Sequence, residues 1–425
     1  MGFMIATRAY FRWIFLCICV GLIAGLTSSG FLISLNWVWT FQNAHRETIF
    51  LLPVIAVLLT YFFQKYASEF SDSNRLLFEE IHEPQRVLPI LIAPFVFIGT
   101  LLSHFAGAST GREGAAVQIS ASMTDQLSKI FHIKATERKI LLVAGSGAAF
   151  GAATGAPLAG IIFGMEMIFS GRLRIFALFE CLLASYIAYS VGQFLRAPHY
   201  QFTGPGSIDY QPINFLWVML AGVLFGLVAR LFVWTHHHFQ KLVQLLPLKV
   251  LMRNLLGGIL LASFFYFEAS YHYTSLGLNE IQHALSERVS LQMPVLKFLA
   301  TILSIGSGLK GGEFVPLVFI GSHIGSAMSE YLPLAPGVLA ALGFAAVFGG
   351  AAHVPITCAI MGCELFGWRL APFAFISCLA SYYVSGDKGI YLGQIKSSHP
   401  KHSAIVEWWH LIIKKISSGT GNRIQ

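Results

Sequence analysis

The chain has 425 residues, of which 55% are hydrophobic and 11% charged. A soluble globular protein carries about 25% charged residues, so a water-soluble domain is excluded and a polytopic membrane protein is expected. The net charge of +8 does not point to nucleic acid, because basic residues such as Arg12, Lys65, Lys129, Arg138, Lys241 and Arg253 stand singly between apolar stretches and form no continuous patch.

Taken in order, residues 13–40 form an apolar run too long for a signal-peptide core, and no Ala-x-Ala site follows it, so it reads as a retained first span. Arg8 and Arg12 precede this run with no acid beside them, which puts the N-terminus in the cytoplasm by the positive-inside rule. A second span over about 50–64 returns to Lys65, and a polar stretch, 68–83, starts on that side. Apolar runs then cover 87–107, 114–131, 139–151, 155–169 and 175–196. The Pro-, Gly- and Tyr-rich loop 197–212 separates a first half, 1–200, from a second, 201–395. The second half has runs near 213–236, 250–269, 293–308, 314–328, 335–350, 353–367 and 370–385. A polar, basic tail, 396–425, with one amphipathic stretch at 405–416, is expected in the cytoplasm. The six cysteines all lie in apolar runs without zinc spacing and read as small buried hydrophobes.

The halves repeat. Phe150-Gly151-Ala152-Ala153-Thr154-Gly155-Ala156-Pro157 aligns with Phe348-Gly349-Gly350-Ala351-Ala352-His353-Val354-Pro355 at an offset of 198, and the match continues to Glu166 against Glu364. Gly111-Arg112-Glu113 aligns with Gly311-Gly312-Glu313, and Glu80-Ile81 with Glu280-Ile281, at an offset of 200. Short apolar segments interrupted by Gly and Pro at matching places in two halves are the mark of a transporter whose broken helices meet at mid-membrane. Irregular backbone is tolerated at that depth only where protein or a polar pathway covers it.

Gly111-Arg112-Glu113-Gly114 is the sharpest motif. Glycines bracket a charged pair just before an apolar helix, so backbone N–H groups and a helix N-terminus can face an anion beside a carboxyl group. Glu113 either competes with an anion when ionised and carries a proton when neutral, or forms a structural salt bridge with Arg112; adjacent residues on a helix do not face each other, which favours the first reading. In Lys310-Gly311-Gly312-Glu313-Phe314-Val315-Pro316, Glu313 either lines the same pathway or caps a helix while paired with Lys310. The N–H groups of Phe314 and Val315 are the better anion donors, and Pro316 suits a first helical turn. Ser71-Asp72-Ser73-Asn74 reads as a helix start that aims a third positive end inward, with Asn74 a candidate anion contact, or as an ordinary N-cap cluster. Glu79-Glu80-Ile81-His82-Glu83 lacks metal-site spacing and reads as a solvated helix end with ion pairs to Arg86. His236-His237-His238 reads as an interfacial run. Tyr391 either aims a phenol at the pathway or belongs to an aromatic belt. Some of the 36 phenylalanines can line a pathway through their positive ring edges, but which ones is not written in the sequence.

Gly111-Arg112-Glu113-Gly114 resembles the Gly-Arg-Glu-Gly-Pro signature of the CLC family of chloride channels and proton-coupled anion antiporters, and the order of the surrounding features fits along essentially the whole chain. The resemblance implies an all-α inverted-repeat fold with broken and re-entrant helices, and a homodimer with one pathway per subunit. It also implies that Glu113 is the external gating and proton-accepting glutamate. Glu-Ile-His-Glu-Pro at 80–84 and Lys-Gly-Gly-Glu at 310–313 look like the fluoride-selective branch, in which the residues matching Glu313 and Tyr391 are functional. This chain departs from the family in four places. Ala115 stands for the signature proline, and Ser71-Asp72-Ser73-Asn74-Arg75 stands for Gly-Ser-Gly-Ile-Pro. Met167, beside Glu166, stands where chloride transporters carry an internal proton glutamate, and Val315 replaces the branch's threonine.

The expectation is therefore a bacterial inner-membrane antiporter that exports fluoride in exchange for protons, with no enzymatic activity, cofactor or metal. Gly111, Arg112, Asn74, Phe314, Val315 and Tyr391 are expected around the anion, with Glu113 and Glu313 as the working carboxyls. A chloride/proton antiporter or chloride channel on the same fold is the nearest rival. A membrane metalloenzyme on the 79–83 cluster and a structural scaffold are more distant ones.

Overall fold

The computed structural model describes residues 2–70, 72–391 and 393–395, with side chains from Tyr10 onward. Ser71 and the expected cytoplasmic tail with its amphipathic stretch lie outside the described residues. The first half contains α1 (Gly2–Ala44), α2 (Leu52–Tyr66), α3 (Ser73–His82), α4 (Ile92–Phe105), α5 (Glu113–Ile130), α6 (Ala135–Thr154), α7 (Pro157–Glu166) and α8 (Leu178–Phe194). The second contains α9 (Pro212–Leu245), α10 (Val250–Glu268), α11 (Leu278–Ser286), α12 (Gln292–Gly306), α13 (Phe314–Met328), α14 (Pro336–Ala352), α15 (Pro355–Phe366) and α16 (Ala371–Val384).

Four of these, over Tyr10–Ala44, Arg46–Tyr66, Pro212–Leu245 and Val250–Glu268, are long and apolar enough to cross a membrane. Six apolar helices of 10–17 residues are too short to do so alone. The first helix runs well past the expected 13–40, because nothing between Trp37 and Ala44 breaks it; the expected 42–48 loop begins as its last turn and continues as a 3-10 helix, Arg46–Leu51.

The packing repeats. In the first half α1 lies on α6 and α8, and α6 on α5 and α7; in the second α9 lies on α14 and α16, and α14 on α13 and α15. Across the halves α2 packs on α10 and α7 on α15. The breaks have local causes. α6 ends at Gly155, whose φ of +77° places it in the left-handed region that glycine adopts without strain, and Pro157 restarts the chain as α7. In the second half His353 takes the equivalent left-handed position, φ +57°, and Pro355 restarts the chain as α15.

Each restarted helix buries N–H groups that no earlier turn can satisfy. The opposite half supplies the acceptors. Glu364 Oε1 and Oε2 accept from the N–H groups of Leu158 and Ala159 at 2.9 and 2.8 Å. Glu166 Oε1 and Oε2 accept from those of Ile356 and Thr357 at 3.0 and 2.7 Å, and the Thr357 hydroxyl donates to Oε2 at 2.7 Å. The match of Glu166 to Glu364 in the repeat is thus a pair of exchanged caps.

Candidate functional site

Two helix starts meet at the centre. Gly111 and Gly312 form an antiparallel bridge, with Gly111 N–H donating to Gly312 O at 2.5 Å and Gly312 N–H to Gly111 O at 2.8 Å. α5 begins two residues beyond Gly111 and α13 two beyond Gly312. A Cβ on Gly111 would sit 2.9 Å from the Val315 nitrogen, so glycine is needed there for close approach.

Glu113 is buried at the first turn of α5 and lines two cavities. Asn74, Phe78, Phe150, Phe163, Phe314 and Tyr391 surround one of them, the central cavity. Arg112, Thr154, Tyr200, Phe202, Val315 and Phe344 share in the other, which opens towards the 195–211 loop. Phe314 also borders both. The rings around these cavities pack on one another: Phe150 stacks on Phe163 at 4.1 Å between centroids, and Phe314 stands edge-on to Phe150 at 5.8 Å and to Phe348, behind it, at 4.6 Å.

Beyond the central cavity the space divides. Asn74 also lines a polar cavity with Asp72, Thr100, Gln118 and Lys310. Tyr391 also lines one with Ser170, His237, Lys241, His353 and Lys388. Tyr391 is thus an interior residue rather than part of an aromatic belt, and it packs on Phe78 with centroids 5.7 Å apart.

Of the expected residues, Glu113, Asn74, Phe314 and Tyr391 share one cavity wall, and Arg112 and Val315 line the second cavity with Glu113. Glu313 is the N-cap residue of α13, but its side chain makes no capping hydrogen bond and is not paired with Lys310, whose ammonium lies over the Phe63 ring at 4.1 Å. The capping alternative for Glu313 therefore fails.

Two sequence readings are corrected. Arg112 and Glu113 do pair, Nε to Oε1 at 3.3 Å, because Arg112 is the N-cap residue, ahead of the helical turns in which neighbours point apart. The 79–83 cluster is solvated only in part, at Glu79 and Glu83, and its ion pairs do not go to the Arg86 side chain. Glu80 is buried and bridges Arg138 at 2.8 Å, while Arg138 also bridges Asp125 at 2.7 Å. Arg86 contributes only its backbone, its N–H donating to Glu80 and its carbonyl accepting from Arg138 at 2.6 Å. Asp125 was the signal the sequence offered, an acid inside the 114–131 run; Glu80 and Arg138 sit in stretches with other charges and did not stand out.

α3 connects these parts. Asp72 caps it, accepting from Arg75 N–H at 3.1 Å. Its first turn carries Asn74, whose Oδ1 accepts from Gln118 Nε2 at 2.8 Å. At its far end His82 Nε2 lies 3.1 Å from the carbonyl of Gly393, two residues from Tyr391.

Comparison with known proteins gives a consistent result. A "Chloride/fluoride channel protein" of Pseudomonas syringae pv. tomato is 38% identical over 403 residues, covering 92% of this chain and 88% of that protein. The crystal structure of a CLC-type fluoride/proton antiporter superposes with a TM-score of 0.88 at 30% identity, covering 91% and 98% of the two chains. A slow cyanobacterial Cl-/H+ antiporter shares the fold, with a TM-score of 0.76 at 21% identity and coverage of 93% and 97%. The all-α, inverted-repeat membrane fold expected from the sequence is thus the observed one. The profile of the voltage gated chloride channel family matches residues 54–386, and the chain belongs to that family.

Proposed function

We propose that the protein exports fluoride in exchange for protons, with Glu113 alternating between occupying the anion's place and carrying the proton. The observation that carries this reading is that the Glu113 carboxyl borders both the central and the outer cavity, so a rotation of one side chain opens or closes the connection between them. A carboxyl there is costly to bury in a membrane unless it works. Fluoride is small and tightly hydrated, so it needs close donors and little spare volume. The starts of α5 and α13, the Asn74 amide and the Tyr391 hydroxyl supply donors around a cavity otherwise walled by rings. Glu313 and Tyr391 line or gate the inner side. The relative's name and the neighbouring structure's title both include fluoride.

The second reading is chloride/proton exchange. Val315 favours it, since it supplies no hydroxyl where the fluoride branch has threonine, and the same relative's name includes chloride. On either reading the protein is a transporter rather than an enzyme. It works as a homodimer in the bacterial inner membrane, with halves 1–200 and 201–395 and both termini cytoplasmic.

The test is anion efflux from proteoliposomes loaded with fluoride or chloride, with internal pH recorded. Fluoride efflux with proton uptake and little chloride movement supports the proposal. Comparable chloride movement assigns the chain to the second reading, and anion flux without proton movement removes the antiport assignment.

A further inference from the structure

Lys297 lies in α12 with no exposed surface, and none of the salt bridges among the described residues includes it. An amine buried in a membrane helix is costly and calls for a reason. Its Nζ donates to the carbonyls of Ser275 and Tyr273 at 2.8 and 3.1 Å and lies 5.2 Å from the centre of the Phe319 ring. It therefore holds a loop rather than a ligand.

That loop leads to Glu113. Ser275 N–H donates to Gly107 O at 3.1 Å, and Ser275 Oγ lies 2.9 Å from His104 Nδ1. On its other side His104 Nε2 lies 3.4 Å from Thr110 Oγ1, one residue before the Gly-Arg-Glu motif. Ser275 is left-handed at φ +49°, a conformation that persists in a non-glycine residue only where the surroundings fix it.

The same face of α12 reaches the motif by a second route. Thr301 and Ser304 follow Lys297 at spacings of four and seven, which places all three on one helix face. Thr301 Oγ1 lies 3.0 Å from Ser109 Oγ, and Ser304 Oγ accepts from Ser109 N–H at 3.0 Å. Lys297, Thr301, Ser304, His104, Ser109 and Thr110 are all fully buried.

We propose that Lys297, with Thr301 and Ser304, makes α12 a rail to which the 107–112 segment is fastened. Lys297 and Thr301 are positioning residues that hold Glu113 at the boundary between its two cavities. They act through the backbone ahead of Glu113 and touch neither anion nor proton. The proposal rests on Glu113 being the working carboxyl.

The test is hydrogen–deuterium exchange of the purified full-length protein, alongside proton and anion flux, for Lys297→Met, Lys297→Arg and Thr301→Val. The hydroxyl loss in Thr301→Val nearly conserves volume, so this variant carries the test if Lys297→Met does not fold. Exchange in a peptide spanning 107–113 is expected to quicken about tenfold in Lys297→Met and Thr301→Val, the factor that loss of one hydrogen bond gives a locally opening segment. Fewer protons should move per anion, with partial recovery in Lys297→Arg. Unchanged protection of 107–113, or loss spread equally over α6 and α14, overturns the proposal. Exchange is read without transport, so a wild-type protein that moves no fluoride would count against the proposed function and leave this result standing.

Discussion

Glu113 and Glu166 are both carboxyls inside apolar helices, and their partners separate them. Glu166 accepts three hydrogen bonds, two of them at 2.7 Å, whereas the contacts Glu113 receives from its neighbour Arg112 are longer, from Nε at 3.3 Å and from the backbone N–H at 3.2 Å. Charge-assisted contacts of full strength lie nearer 2.7–2.9 Å, so on the proposed function Glu113 is expected to be the more easily displaced of the two. Glu113→Gln is expected to reduce proton transport to background while leaving the unfolding temperature in detergent close to wild type. Glu166→Gln is expected to lower that temperature, because an amide cannot accept at both oxygen positions and one donor of α15 loses its partner at a cost of about 1–2 kcal/mol. Equal loss of stability in both variants would contradict the distinction. Gly111→Ala should abolish transport, since its methyl would meet the α13 backbone and part the two helix starts. The motif around Glu113 was plain in the sequence because glycines flanking charge in an apolar run have few other uses. The pairing with Arg112 was not, because it depends on where the helix begins, a matter of one residue.

At the scale of elements, α3 acts as a strut whose first turn holds Asn74, whose middle is locked by Glu80 to Arg138, and whose last residue reaches the loop bearing Tyr391. Arg138→Met would leave Glu80 and Asp125 buried without a cation. Removing one member of such a network costs about 3–5 kcal/mol. Thermal unfolding in detergent should show that loss, and Glu80→Gln with Asp125→Asn added to Arg138→Met should recover part of it. If the triple variant is no more stable than Arg138→Met alone, the network is not what holds α3. Most helices were legible as apolar runs, and α5 and α13 start within one residue of the runs at 114 and 314. The helix α11 was not, because nine residues including Asn279, Glu280, Gln282 and His283 carry too little apolar content to stand out from a loop.

At the scale of the whole molecule, the repeat read from three aligned motifs is matched by two sets of eight helices with the same packing order among the described residues. What the alignment could not convey is that the contacts cross between sets, since a linear offset says which residues correspond and not which ones touch. The proposed orientation has a direct check. With both termini cytoplasmic and the Tyr200 side of Glu113 outward, a cysteine at Asp209 should react with a membrane-impermeant thiol reagent added outside intact cells, and one at Lys241 only after permeabilisation. The reverse pattern would invert the direction of transport proposed here.

The exchanged glutamate caps also bear on the order in which the protein is made. When α7 has left the ribosome, the acceptor for its first N–H groups, Glu364, is still some 200 residues from being synthesised. Bare N–H groups are poorly tolerated in lipid, so α7 is expected to stay near water at the membrane surface until α15 is made. The two short helices then enter together, each bringing the other's missing acceptor. Late, concerted insertion of the core is the expected outcome: a nascent chain stopped before Glu364 should leave α7 open to protease even though α1 and α2 are already in place.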